Sequence, residues 1–203
     1  MNEENFKKVR RDLLEIFPPE SDDPRFRYIK RTWIFPQHID ISVRFARELA
    51  VKYGANEEVC ALASLLHDAG LAYKRESADS VGHEERSAEY IKKFLPNYGY
   101  TESVIAKVAV CALATELETK ISSLEEKIVR TADGLAHILS LHYFAKVSFS
   151  PDWESGVRFL EKKVKKDWEK ICFDDERNVA RSAYEYINSI VKQYRGIKNI
   201  SLE

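Results

Sequence analysis

Residues 38–70 read HIDISVRFARELAVKYGANEEVCALASLLHDAG, and the phase of their apolar positions decides the fold. His38, Ile41, Ser42, Phe45 and Leu49 fall at i, i+3, i+4, i+7 and i+11, one face of a helix from Gln37 to Tyr53 that ends at Gly54. His38 therefore opens an inward face. Asn56 is suited to cap a second helix, with Glu57 and Glu58 in its first turn and Gly70 as its C-cap. Because Val59 to Leu66 is apolar or small on every side, this helix is expected to be central and buried. It nevertheless ends on His67 and Asp68. An ionised carboxylate is strongly disfavoured in an interior unless something compensates it.

The helical period continues on both sides. Glu4 to Phe17 reads as a helix stopped by Pro18 and Pro19, followed by a long loop rich in aromatic and basic residues. His83 to Leu95 is a helix halted by Pro96, with His83, Ser87, Ile91 and Phe94 on one face. The stretch ESVIAKVAVCALATEL is another core helix, and Ser122 with Glu125 has the spacing of a capping box for a helix beginning near Leu124. In that helix Val129, Ala132, Asp133 and Ala136 fall at i, i+3, i+4 and i+7, which places the Asp133 carboxylate in an apolar stripe. Two amphipathic helices fill about 151–195, with nothing in them that suggests separate chemistry. Only seven glycines and six prolines punctuate the 203 residues, and strand-like alternation is scarce. The expected fold is all-α, a single helical domain over 1–203.

Charge and cysteine usage narrow the function. Lys and Arg total 32 against 33 Asp and Glu, so no overall basic field signals nucleic acid or an anionic membrane, and any phosphate recognition has to be local. Cys60, Cys111 and Cys172 are too scattered for a disulfide framework or a cysteine zinc site and read as reduced core thiols. The N-terminal segment lacks a targeting pattern and no apolar run approaches the ~20 residues of a membrane span, so a cytoplasmic location is expected. Glycine-rich phosphate loops and the G-x-S-x-G elbow are absent.

His38, His67, Asp68 and Asp133 share one anomaly, polarity where helical phase predicts interior. A divalent cation resolves it for all four, supplying positive charge to the carboxylates and accepting neutral imidazole nitrogens. Mixed nitrogen and oxygen ligation suits Mn²⁺, Fe²⁺, Co²⁺, Ni²⁺, Zn²⁺ or Mg²⁺. Four protein ligands on an octahedral ion leave positions open for water or substrate. The competing account is an ordinary hydrogen-bonded polar network in a helical core.

The order of these elements resembles the HD-domain superfamily of metal-dependent phosphohydrolases, in its small single-domain form. The likeness covers roughly 30–145, through the quoted stretch, through GHEERSAEYI and through LEEKIVRTADGLA, with the N-terminal and C-terminal helices lying outside it. The resemblance implies that His38, His67, Asp68 and Asp133 hold one divalent metal. It also implies that Asp68 takes part in the chemistry and that His83 assists proton transfer or binds phosphate. The implied substrate is a small phosphorylated metabolite, with nucleotides the expected class. Thr131, Gly134 and Ala136 depart from the family pattern of aspartate, arginine and aspartate, and no histidine occurs around Thr115, which favours one metal over two.

Two cations are candidates for the substrate phosphate. Lys74 follows the HD pair, and Arg31 closes the run Arg25, Arg27, Lys30 and Arg31 interleaved with Phe26, Tyr28 and Trp33. A solvated surface is the alternative for both. His137, four residues after Asp133, forms a competing D-x-x-x-H pair and ranks below the four-residue set, and His142 reads as a bland core residue. The alternative function is a helical module that binds metal or nucleotide without turnover, or helices that serve partner assembly. The C-terminal helices could cover the pocket or form a homodimer contact.

Overall fold

The computed structural model describes residues 2–18, 34–74 and 81–198. Among these residues there are helices and turns but no strand, and no helix is long and apolar enough to cross a membrane. The order is α1 (Glu3–Leu14), α2 (Ile34–Tyr53), α3 (Glu57–Leu66), α4 (His83–Phe94), α5 (Glu102–Leu113), α6 (Leu124–Ile138), α7 (His142–Ser148), α8 (Trp153–Lys170) and α9 (Asp174–Lys198). Short 3₁₀ turns cover Ala69–Leu71 and Leu95–Tyr98.

Local chemistry explains most boundaries. Asn56 caps α3 by accepting from the Val59 amide at 3.1 Å, and Gly54 takes the left-handed conformation (φ 73°) that ends α2. Helix α2 starts three residues before the expected Gln37. Pro36 is tolerated there because first-turn amides have no partner within the helix. At α6 the cap is Ser123, not Ser122. Its hydroxyl oxygen accepts from the Glu126 amide at 3.2 Å, while the Glu126 carboxylate accepts from the Ser122 amide at 3.0 Å. The cap is thus displaced by one residue from the expected pair Ser122 and Glu125, and Glu126 closes back on the amide before the cap residue.

Gly70 also differs from its expected role. It does not adopt the left-handed conformation; instead α3 ends at Leu66, and Gly70 sits in the following 3₁₀ turn. A Cβ there would lie 2.0 Å from the His83 carbonyl oxygen and 2.7 Å from the Ser87 amide. The missing side chain thus lets the α3 end and the start of α4 touch, and the Gly70 amide donates to the Ser87 hydroxyl at 2.8 Å.

Helix α6 occupies the centre, packed by α2, α3, α5, α7, α8 and α9. Ile128 through Ile138 is buried without interruption, so its polar residues are interior whatever face they occupy. The buried stripe of α2 runs through Phe35, His38, Ile39, Ser42, Val43 and Ala46, with Ile41 and Phe45 at its edge. This face is rotated slightly from the expected one and keeps His38 inside. Arg130 of α6 reaches the carbonyls of Ala114, Glu116 and Thr119 and so satisfies the acceptors left at the end of α5 and its loop.

Candidate metal centre

Three helices bring the four anomalous residues together. His38 comes from the first turns of α2, His67 and Asp68 from the end of α3, and Asp133 from the middle of α6. His38 Nε2 lies 3.3 Å from Asp133 Oδ1 and 3.7 Å from Asp68 Oδ2. His67 Nε2 lies 3.4 Å from the same Asp133 oxygen and 3.6 Å from Asp68 Oδ1. The rings of His38 and His67 meet edge to face at 66°, so the planes holding their lone pairs intersect.

The protonation of one ligand follows from its neighbours. His67 Nδ1 is 2.8 Å from the Ser64 carbonyl oxygen, and because a carbonyl only accepts, the proton of the neutral ring sits on Nδ1. Nε2 then carries its lone pair toward Asp133 and Asp68. His67 Nε2, His38 Nε2 and Asp133 Oδ1 are all buried and lack a hydrogen-bond partner. Such groups are costly in an apolar interior unless another ligand satisfies them. His38, His67 and Asp133 each offer an atom within 4.8 Å of the others, a spacing that can hold a metal ion.

Charges outside this set tune it. Lys170 of α8 donates to Asp133 Oδ2 at 2.6 Å and leaves Oδ1 facing the imidazoles. Burial would raise the Asp133 pKa, but Lys170, His137 and His38 hold it well below the ordinary carboxylate range. Asp68 is likewise kept low against burial, by His67, His83 and His38. His83 opens α4 with Nε2 3.2 Å from Asp68 Oδ1 and Nδ1 2.9 Å from Glu84. Despite burial, Asp68 and Glu84 bring its pKa up to about 9.

Asp68, His83 and Asp133 line a cleft of about 450 Å³. Its far wall is built from the C-terminal part of the chain, with Lys146 of α7 and Phe159, Lys163, Lys166 and Lys170 of α8. These residues carry the signal that the sequence reading missed. In a helix written EKKVKKDWEK the charged residues look solvated, and only packing shows that Asp167 and Lys170 are interior. Gly134 explains the packing. A Cβ there would lie 2.6 Å from the Asp167 carbonyl oxygen and 3.0 Å from Lys170 Cβ, so a side chain on α6 would push α8 off the site. Thr131 accepts from the Cys172 amide at 3.1 Å, and Ala136 is fully buried. All three family departures thus lie against packed neighbours.

His137 lies beside the four-residue set. Its Nδ1 is 3.2 Å from Asp133 Oδ1 and 3.6 Å from Asp167 Oδ2. Burial, with help from Lys163 and His38, lowers its pKa to about 4 and keeps it neutral. His38, His137 and His142 form a second group with ligand atoms within 4.8 Å. However, His38 and His137 are stacked at 4.2 Å and 24°, and nearly parallel ring planes do not direct two lone pairs at one ion. Lys74 is an exposed residue whose ammonium pairs with Glu89 at 2.6 Å, and it is not part of the cleft wall. The lysines that line the cleft come from α7 and α8 instead. Arg31, with the rest of its basic run, lies outside the described residues.

Comparison with known proteins agrees with this architecture. The HD domain family matches residues 36–138, just over half of the chain. No curated protein matches. A crystal structure of a predicted HD superfamily hydrolase from an uncultured Thermotogales bacterium superimposes with a TM-score of 0.57 at 22% identity, over 93% of this chain and 92% of that one. The chain belongs to the HD domain family.

Proposed function

We propose that the protein is a metal-dependent phosphohydrolase acting on a small phosphorylated metabolite, with nucleotides as the substrate class. The observation that carries the reading is the convergence of three buried, unpartnered ligand atoms, His38 Nε2, His67 Nε2 and Asp133 Oδ1, beside a lysine-lined cleft. Asp68 is the fourth ligand in this reading. A divalent cation held there supplies a Lewis acid that lowers the pKa of water and offsets negative charge on a phosphoryl group.

The remaining roles belong to the chain itself. Lys170 fixes the orientation of Asp133 through its outer oxygen. His83, held between Asp68 and Glu84 at the mouth of the cleft, is placed to give a proton to the departing oxygen. Phe159 adds an aromatic side chain to the cleft wall, with the Lys146 ammonium 5.6 Å over its ring.

A panel of phosphoesters and nucleotides assayed across several divalent metals tests the proposal. Phosphate or pyrophosphate release that requires metal and disappears in folded Asp68→Ala and His67→Ala proteins is the expected result. Metal retention without turnover of any phosphoester would replace it with the reading of a binding module.

A further inference from the structure

The lysines of the cleft form a graded row. Lys163, Lys166 and Lys170 stand at i, i+3 and i+7 on one face of α8, and their side chains are 22%, 40% and 8% exposed. Lys170, the deepest, is committed to Asp133. Lys163 is adjacent to the ligand set: its Nζ lies 3.5 Å from His137 Nδ1, which in turn lies 3.2 Å from Asp133 Oδ1. Lys166 stands at the rim, 2.8 Å from Glu116. From α7, half-buried Lys146 adds a further ammonium to the same wall.

These contacts leave capacity for an anion. An ammonium has three N–H donors. Asp167 takes one from Lys163, and its other oxygen accepts from the Tyr143 hydroxyl at 2.6 Å, so Asp167 is spent on fixing the lysine. Glu116 takes one from Lys166. Burial and repulsion from Lys163 lower Lys146 to about 8, against the attraction of Asp68, Asp167 and Asp133.

We infer that Lys146, Lys163 and Lys166 form an anion subsite beside the metal centre that holds a second phosphoryl group, so that the substrate class is a diphosphate ester or longer rather than a monophosphate. This rests on the phosphohydrolase reading, which supplies the first phosphoryl position. The subsite is built by helices beyond the segment that matches the family, and it would give this chain a preference not encoded in the metal ligands.

The test is calorimetric binding of inorganic pyrophosphate and orthophosphate to the full-length protein loaded with a divalent metal, at fixed ionic strength. Pyrophosphate is expected to bind about tenfold or more tightly than orthophosphate, the worth of one charge-assisted contact. Lys166→Gln and Lys163→Gln should each remove most of that preference, while Lys8→Gln on α1 should leave it unchanged. Lys163→Arg, which keeps the charge beside Asp167, should retain binding and guards against misfolding in the Gln variant. In a metal-loaded enzyme, Lys166→Gln should raise KM for a nucleoside diphosphate several-fold with little change in kcat or in metal affinity. Equal affinity for the two anions, or a preference that survives both Gln substitutions, would overturn the subsite while leaving metal-dependent hydrolysis untouched. Loss of hydrolysis alone would overturn the phosphohydrolase reading instead.

Discussion

Lys170 is the residue whose role is most sharply defined by its surroundings. It is buried, it neutralises Asp133 through one oxygen, and it leaves the other oxygen for the imidazoles. Removing one partner of a buried ion pair costs on the order of 3–5 kcal/mol because the remaining charge is stranded. Lys170→Met should therefore lower the stability of the metal-free protein by about that amount. A divalent ion should restore more stability to this variant than it gives to wild type, measured as the change in melting temperature with and without metal. Equal metal responses would show that Lys170 and the ion do not share Asp133.

The cysteines give an independent check on the interior. Burial pushes Cys60 up to about 12 and Cys111 higher still, so neither thiol carries thiolate at pH 8. A native-state titration with a thiol reagent should therefore modify Cys172 first, with the other two reacting only on unfolding. Fast reaction of all three would contradict the core packing. At this scale the sequence was informative wherever helical phase set polarity against burial, as at His38, His67 and Asp133. It was silent for Lys170 and Asp167, because a charged residue in a charged helix raises no anomaly until its neighbours are known.

At the scale of elements, the site depends on two close approaches that only glycine permits. Gly70 joins the end of α3 to α4 and thereby sets His83 against Asp68. Gly134 lets α8 lie on α6 and deliver Lys170 to Asp133. Overpacking at such contacts costs roughly 1–3 kcal/mol. Gly134→Ala should fall in that range by denaturant unfolding and also weaken metal binding, since the helix it displaces carries the counter-ion of Asp133. Gly70→Ala should be the more destabilising, because a 2.0 Å approach to backbone leaves nothing flexible to yield.

Helix existence was legible from period and caps, but the reasons for individual residues were less so. Gly70 looked like a cap because a glycine after an apolar run commonly ends a helix; close approach leaves the same residue in the sequence. The Ser-Ser pair at 122–123 allowed the cap to be placed one residue early. Helix α7, of seven residues, was too short to show a period.

For the whole molecule, the ligand set is drawn from distant parts of the chain and meets only in the folded state. An ion bound to the native protein but not to the unfolded chain stabilises by about 2.7 kcal/mol at one hundred times its Kd, roughly 5–10 °C in a protein of this size. Chelation should reverse that gain. The family segment supplies the candidate ligands, and the helices after it supply the cations of the cleft. Overall charge is balanced, and the cleft brings four lysines together with Asp68, Glu84, Glu116 and Asp133.

The most direct test of the central claim is the divalent-metal content of untagged protein, loaded with metal, desalted and measured by mass spectrometry beside folded His67→Ala and Asp133→Asn proteins. The account predicts one ion per chain in wild type and its loss in both variants, with helical content unchanged. Wild-type protein that carries no ion after loading, or variants that keep it, would contradict the account.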